Sequence, residues 1–296
     1  MRSRSNSISS KRDPGGSQAN NPERDHRSSA HSLYIVGIGP GDARHLTRRA
    51  EDVLQKVEAV AGYTTYIDLI RPLILDKQIV STGMTKEVQR VESAIQLSLE
   101  GTSCAIVSSG DPGIYAMAGL VFETCSAKNI KILPRSEQAA NMPKDSEIIY
   151  VEIVPGIPAL SAGAALLGAP LTHDFAVISL SDLLTPWEII EKRLEAAARA
   201  DFVIVLYNPK SKKRTWQLEK AQQIILVHRD QNTPVGIVTS AMRDSQNVDV
   251  ITLDNLHRAE VNMQTTVFIG SSASLQYADY MYTPRGYSKK YKFNSD

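Results

Sequence analysis

The sequence predicts an α/β protein made of two α/β units. Three observations carry this. Short apolar runs alternate with stretches whose apolar residues recur every three or four positions, the signatures of buried strands and of helices packed on them. The alternation breaks at Pro155-Gly156-Ile157-Pro158 and then restarts. The chain has 296 residues, 42% of them hydrophobic and 22% charged, enough for two modest cores.

Residues 1–32 are rich in Ser, Arg and Asn, contain Pro14-Gly15-Gly16 and hold almost nothing apolar, so a disordered tail is expected. An import peptide is the alternative, with Asp13, Glu23 and Asp25 against it; a missing apolar core argues against a signal peptide. The first unit is placed at 33–155. It opens with the strand Leu33-Tyr34-Ile35-Val36, which runs into Gly37-Ile38-Gly39-Pro40-Gly41-Asp42. Leu46, Ala50, Val53, Leu54 and Val57 mark one helix face, with Asp42 as the expected N-cap. Strands follow near Val60-Ala61 and Ile79-Val80, then a helix with Val88, Val91, Ile95 and Leu99 inward.

The strand Cys104–Val107 leads into Ser108-Ser109-Gly110-Asp111-Pro112-Gly113-Ile114-Tyr115. A helix is expected next, opened by Pro112, with Ile114, Met117, Leu120 and Val121 on one face. Strands near Ile130–Leu133 and Ile148–Val154 complete a mostly parallel sheet covered on both faces. The polar stretch Pro134–Glu147 reads as a surface insertion.

The second unit is placed at 156–272. It starts with a small-residue helix, Ala159 to Leu167, ended by Gly168 and Pro170. Strands are expected at Phe175–Leu180, Phe202–Leu206, Val235–Thr239, Val250–Leu253 and Thr266–Ile269. Thr185-Pro186 opens a helix with Trp187, Ile190 and Leu194 on its face. Residues 273–296 are read as a C-terminal tail.

The net charge of +1 offers no bulk attraction for nucleic acid or an anionic membrane. Cys104 and Cys125 form no disulfide framework and no metal or iron–sulfur spacing, which points to a reducing, cytoplasmic setting and no metal. No apolar run reaches the roughly 18 residues of a spanning helix.

Four stretches can carry chemistry. The small-residue turn Ser109-Gly110-Asp111 lets a ligand approach the backbone; the equally weighted alternative is a plain strand-to-helix turn with Asp111 as a cap. Gly37-x-Gly39 invites a dinucleotide-binding reading and hence a nicotinamide oxidoreductase. That reading fails at Asp42, where a third glycine belongs, and at Ala61-Gly62-Tyr63, which lacks a ribose-binding acid. Pro40 also removes a donor that a pyrophosphate would want, so a neutral or cationic ligand suits the loop better. After Tyr207-Asn208-Pro209, the cations Lys210, Lys212, Lys213 and Arg214 crowd the expected start of a helix against its dipole. They read as an anion site, with a solvated face as the alternative. His173 beside Asp174 is a catalytic candidate or, more simply, a satisfied loop histidine.

Taken together, these segments resemble the tetrapyrrole methylases, which use S-adenosylmethionine (SAM). The resemblance spans roughly Leu33 to Ser272. It rests on Gly37-x-Gly39-Pro40-Gly41-Asp42 with Leu46-Thr47, Ser109-Gly110-Asp111-Pro112, Val154-Pro155-Gly156-Ile157, Gly168-Ala169-Pro170-Leu171-Thr172 and Thr266-Val267-Phe268-Ile269-Gly270. Within the family, the segment His173–Trp187 and Leu206-Tyr207-Asn208-Pro209 with Ser211-Lys212-Lys213-Arg214 are similar to the precorrin-3B C17-methyltransferases of cobalamin biosynthesis.

The resemblance implies two α/β domains of tetrapyrrole methylase type with SAM in the cleft between them, S-adenosylhomocysteine as product, a tetrapyrrole substrate and a homodimer. Carried over residue by residue, the cofactor contacts are Pro40, Ser109, Gly110, Asp111, Ile114, Pro158, Ala159, Asn208, Ala241 and, more weakly, Thr266. It implies methylation at C17 of precorrin-3B or its cobalt-bearing counterpart, with ring contraction. The nearest alternative is a related methylase acting elsewhere on the ring, such as C11 of precorrin-4; a non-catalytic SAM-binding module is a further one. The substrate's carboxylates select Lys210, Lys212, Lys213 and Arg214, with Arg71, Arg90 and Arg243, as candidate partners.

Relatives that methylate uroporphyrinogen carry an Asp where this chain has Tyr63 and a Lys near Gly83, so those roles do not transfer. The cysteine-bearing cluster region of some relatives is also missing. The acid or base is left among Tyr63, Tyr66 and His173.

Overall fold

Parallel strands need crossover connections, and the apolar periodicities supply helices to make them. The computed structural model describes residues 31–135 and 148–291. The expected tail over 1–32 and insertion over 134–147 lie outside the described residues, except for residues 31, 32, 134 and 135. Ser32 belongs to the fold, as the buried first residue of a strand.

Strands β1 (Ser32–Gly37), β2 (Ala59–Tyr63), β3 (Gln78–Thr82), β4 (Cys104–Ser108), β5 (Lys131–Pro134) and β6 (Ile148–Val154) form one sheet in the order β3-β2-β4-β1-β6-β5. Every pairing in it is parallel. The period-two alternation of a strand sends neighbouring side chains to opposite faces. Tyr34 and Val36 pack toward helices α1 (Arg48–Lys56) and α2 (Thr64–Leu69). Leu33 and Ile35 pack toward α3 (Glu87–Leu99) and α4 (Met117–Ala127). All strand carboxyl ends therefore share one edge.

Two helix starts differ from the sequence reading. Asp42 caps only the short turn Ala43–His45, accepting from the Arg44 amide, while Thr47 caps α1 by accepting from the Ala50 amide. Pro112 does not open α4, which begins at Met117. Tyr115 sits at φ 51°, in the left-handed region, and Ala116 is extended, so helical geometry cannot run back to Pro112.

The second unit begins with α5 (Ala159–Leu167) and β7 (Gly168–Ala169). Its main sheet contains β8 (Phe175–Ser179), β9 (Val203–Tyr207), β10 (Pro234–Thr239), β11 (Asn247–Thr252) and β12 (Thr265–Ile269), in the order β11-β10-β12-β9-β8. Helices α6 (Trp187–Arg199) and α7 (Gln217–Leu226) cover one face. Pro186, not Thr185, is the residue before α6, and no side chain caps it.

Within this sheet only β8 and β9 pair in parallel; its other pairings are antiparallel. Residues 240–246 between β10 and β11 are too few for a crossover, so that pair turns back on itself. Strand β12 inserts between β9 and β10 in the opposite direction, which brings its start, not its end, to the edge where they finish.

Residues 273–291, within the stretch read as a tail, contain structure. Strands β13 (Leu275–Tyr277) and β14 (Tyr280–Tyr282) form a hairpin whose second strand pairs with β7. Met281 is fully buried against Leu167, Val205, Val238 and Phe268. The alternation in Leu275–Tyr282 is too short to stand out in sequence, and its apolar surface becomes useful only against α5. A short helix, α8 (Tyr287–Lys290), follows. Among the described residues, no helix is long and apolar enough to cross a membrane.

The central edge of the first sheet is tightly packed. A Cβ on Gly156 would lie 2.2 Å from the Gly110 carbonyl oxygen, and one on Gly37 would lie 2.6 Å from that oxygen and from the Gly156 nitrogen. Gly119, the third residue of α4, meets nothing within 4 Å. Gly156→Ala is expected to destabilise the protein by about 1–3 kcal/mol through backbone overpacking, read as a lower urea midpoint. Gly119→Ala should raise stability by about 0.5–1 kcal/mol; a Gly156 variant as stable as the parent would show that the junction is slack.

Candidate active site

The carboxyl edge of the first sheet faces the second unit across a cleft of about 470 Å3. Five of its six strand ends contribute. Pro40 follows β1; Tyr63 ends β2, and Thr65 and Tyr66 follow it; Met84, Glu87 and Arg90 follow β3; Ser109 to Asp111 and Ile114 to Met117 follow β4; and Pro158 and Ala159 follow β6. From the other side come Tyr207 and Asn208 after β9, Ser240, Ala241 and Arg243 after β10, and Met263 to Thr266 at the start of β12.

Three loops of the first unit are knitted together at the base. The Gly39 and Gly110 amides donate to each other's carbonyls, at 3.2 and 2.7 Å. Asp111 then joins the third loop: Oδ1 accepts the Gly113 amide at 2.8 Å and Oδ2 accepts the Gly156 amide at 3.2 Å. Asp111 is therefore not the cap of α4, whose N-cap Ala116 makes no side-chain bond; it organises the turns while lining the cleft.

Contacts from the second unit close the sides. The Tyr115 hydroxyl donates to the Val177 carbonyl at 3.0 Å, and its ring lies 5.3 Å from that of Tyr207. The Tyr207 oxygen accepts the Leu160 amide at 2.8 Å, and burial pushes its phenol up to about 12, so it stays neutral. Arg243 reaches across the cleft: Nε donates to the Pro40 carbonyl at 2.7 Å and Nη2 to Ser109 Oγ at 3.3 Å. Its side chain occupies the space beside Gly41, where a Cβ would lie 2.5 Å from Nε. Tyr115, Asn208 and Ser240, all on the cleft wall, have left-handed backbones at φ 51°. Such non-glycine residues persist only where their surroundings hold them.

All ten residues implied as cofactor contacts, from Pro40 to Thr266, line this one cleft. Tyr63 and Tyr66 line it too, edge to face at 5.2 Å. His173 is not in the lining; it is exposed, and its Nδ1 accepts the amide of Asp174 at 3.0 Å. Arg71 also lies elsewhere, paired with Asp68 at 3.0 Å.

The basic cluster needs reinterpretation. Lys210, Lys212, Lys213 and Arg214 are absent from the cleft lining. The helix after them starts at Gln217, so the cations sit on a turn ahead of it and not in its first turn. Lys212 and Lys213 are exposed, whereas Arg214 is buried. Arg214 Nη2 donates to the Asn208 carbonyl at 2.8 Å and Nη1 to Ser181 Oγ at 3.3 Å. Asn208 Nδ2 donates to Ser179 Oγ at 2.9 Å. Arg214 thus buttresses the left-handed Asn208 turn from behind. Burial lowers its pKa, and Asp182 opposes that shift.

Sequence reasoning did not single out Glu87, Tyr115, Met117, Met263 or Gln264 as site residues. Tyr115 carried a usable signal, since it adjoins the Ser109–Asp111 turn. Met263 and Gln264 carried none, because the reversed direction of β12 brings them in.

The family described as Tetrapyrrole (Corrin/Porphyrin) Methylases matches residues 32–257. The chain is 47% identical over 262 residues to "Cobalt-factor III methyltransferase" of Priestia megaterium, covering 88% of this chain and 46% of that protein. It is 42% identical over 256 residues to "Probable cobalt-factor III C(17)-methyltransferase" of Salmonella typhimurium (strain LT2), covering 86% of this chain and 99% of that one. It thus spans about half the length of the first relative and nearly all of the second. The crystal structure of the methyltransferase CobJ superposes with TM-score 0.75 at 32% identity, over 85% of this chain and 99% of CobJ. Uroporphyrin-III C-methyl transferase from Thermus thermophilus, solved with S-adenyl homocysteine, shares the fold at TM-score 0.59 and 20% identity, over 81% and 97%.

The two ends of the basic cluster should behave differently. Arg214→Ala strands buried acceptors and is expected to cost about 2–4 kcal/mol of unfolding free energy. Lys212→Ala with Lys213→Ala should stay within about 0.5 kcal/mol of the parent in urea unfolding. Equal effects would contradict the buttress role of Arg214.

Proposed function

The chain belongs to the tetrapyrrole methylase family, and from that premise we propose that it methylates C17 of precorrin-3B or cobalt-factor III. SAM is the donor, the ring contracts, and the step belongs to corrin-ring assembly in cobalamin biosynthesis. The observation that carries this reading is convergence: the ten residues implied as SAM contacts come from six separate loops or strand ends, yet they line one cleft. The 42% identity to a C(17)-methyltransferase over 99% of its length supports the position on the ring.

The donor groups fit SAM. The cleft volume of about 470 Å3 lies within the usual range for small-molecule sites. Asp111 commits one lone pair of each carboxylate oxygen to an amide and keeps the rest for a cationic or hydroxyl-bearing ligand. Gly110, Ala159 and Ala241 place small residues along the wall, and Pro40 presents no amide to attract a pyrophosphate. Pro158 and Ala159 stand at the amino end of α5, where the helix dipole favours negative charge.

When bound, SAM supplies a methyl group already activated by its sulfonium. The protein's remaining work is alignment and exclusion of water. Ile114, Met117 and Met263 give the cleft apolar walls. The Tyr115–Val177 and Arg243–Pro40 hydrogen bonds hold the two units at a set separation across it. We place the enzyme in a reducing cytoplasm, with Cys104 and Cys125 as free buried thiols, and read the working assembly as a homodimer, which light scattering tests.

Titration calorimetry should show S-adenosylhomocysteine binding and no NADH binding. Mass spectrometry should show a tetrapyrrole product one methyl heavier when cobalt-factor III and SAM are supplied. Asp111→Ala is expected to weaken S-adenosylhomocysteine binding by about tenfold or more, equivalent to about 1.4 kcal/mol. An unchanged dissociation constant would remove Asp111 from the cofactor site, and NADH binding alone would overturn the function.

A further inference from the structure

Two guanidiniums face the cleft, and among the described residues neither pairs with a carboxylate. Arg90 is only 3% exposed. Its Nε donates to Thr82 Oγ1 at 2.8 Å, Nη2 to the Gly83 carbonyl at 3.2 Å, and Nη1 contacts Met117 Sδ at 3.8 Å. The guanidinium of Arg243, from the other unit, has the Pro40 carbonyl and Ser109 Oγ as its hydrogen-bond partners among the described residues. A cation taken out of water without a counter-charge is costly, and its attraction for an incoming anion is strong in such surroundings. Glu87 lines the same wall and acts on Arg90 electrostatically, while its Oε1 accepts the Thr85 amide.

Tyr66 completes the set. Its phenol makes no hydrogen bond to the described protein, lines the cleft, and feels both Arg243 and Arg90. Burial raises its pKa, so it is an O–H donor at neutral pH. Two guanidiniums, which only donate, and a phenol hydroxyl with its proton free to donate suit a carboxylate, which only accepts.

We propose that Arg90, Arg243 and Tyr66 form a carboxylate-binding subsite at the first-unit end of the cleft, and that this subsite, rather than the lysine cluster after Asn208, holds an anionic group of a bound ligand. The assignment of the ligand rests on the function proposed above. A carboxylate reaches this cleft from two sources, the macrocycle periphery or the amino-acid end of the cofactor.

Arg90→Gln separates them. For a macrocycle carboxylate, the KM for cobalt-factor III rises about tenfold or more, while the dissociation constant of S-adenosylhomocysteine stays within about twofold. For the cofactor carboxylate, S-adenosylhomocysteine binding weakens about tenfold or more, while 5′-methylthioadenosine, which lacks the carboxylate, binds as to the parent. Tyr66→Phe loses no protein hydrogen bond and should shift the same constant by about threefold to tenfold, which decides the matter if Arg90→Gln fails to fold. If neither variant changes either constant by more than about twofold, the subsite is wrong. If the parent binds no S-adenosylhomocysteine and methylates no tetrapyrrole, the proposed function fails separately. The subsite is then read with citrate, whose protection of the parent against thermal unfolding must be lost in Tyr66→Phe or Arg90→Gln, or the subsite falls as well.

Discussion

The close approach of Gly37, Gly110 and Gly156 is the constraint on which this molecule depends. The three residues belong to the ends of or loops after β1, β4 and β6, which are neighbours at the centre of the first sheet. At Gly37 and Gly156 the facing backbone leaves no room for a side chain, and at Gly110 the positive φ of 69° favours glycine. Asp111 becomes the tie between two of the loops because its carboxylate lies where the Gly113 and Gly156 amides need acceptors. Slackening this contact would move the floor of the cleft and the entry to α5 together.

The second unit supplies a wall whose shape is held under backbone strain. Asn208 and Ser240 adopt left-handed conformations at the ends of β9 and β10. Arg214 and Ser179 hold Asn208, through bonds to its carbonyl and side-chain amide. Ser240 is held by the Gln264 side chain at 2.8 Å. Strain of this kind, on the order of 1–3 kcal/mol per residue, is sustained only by an over-determined surrounding. Here it fixes where Asn208 and Ala241 face the cleft. Arg243 and Tyr115 carry that geometry back to the first unit, so each wall is referenced to the other.

Charge is distributed unevenly around the site. The exposed lysines after Asn208 face solvent, and the cations that face the cleft are the sequestered Arg90 and Arg243. Arg243 both clamps the Pro40 loop and remains without a counter-charge. Arg90 is anchored from behind by Thr82 and Gly83, so a ligand meets a guanidinium that is already oriented. Tyr66 lies within the influence of both.

Local pattern determined much of this protein. The alternation of short apolar strands with helices placed the core of both sheets, and small-residue turns after Val36, Ser108 and Val154 marked the loops that build the cleft floor, because strand ends and glycine close approaches are written in neighbouring residues. Charge was legible only as composition: Lys212 and Arg214 look alike in a sequence, yet one is solvated and the other is buried behind Asn208. The reversed direction of β12, the docking of Leu275–Tyr282 onto β7 and the delayed start of α4 were decided by tertiary packing. Each depends on partners distant in the chain or on a backbone conformation, such as that of Tyr115, whose hydroxyl reaches Val177 in the other unit. Arg90, Tyr66 and Arg243 come together for the same reason: nothing local connects residues on α3, α2 and the loop after β10 until both units face one another across the cleft.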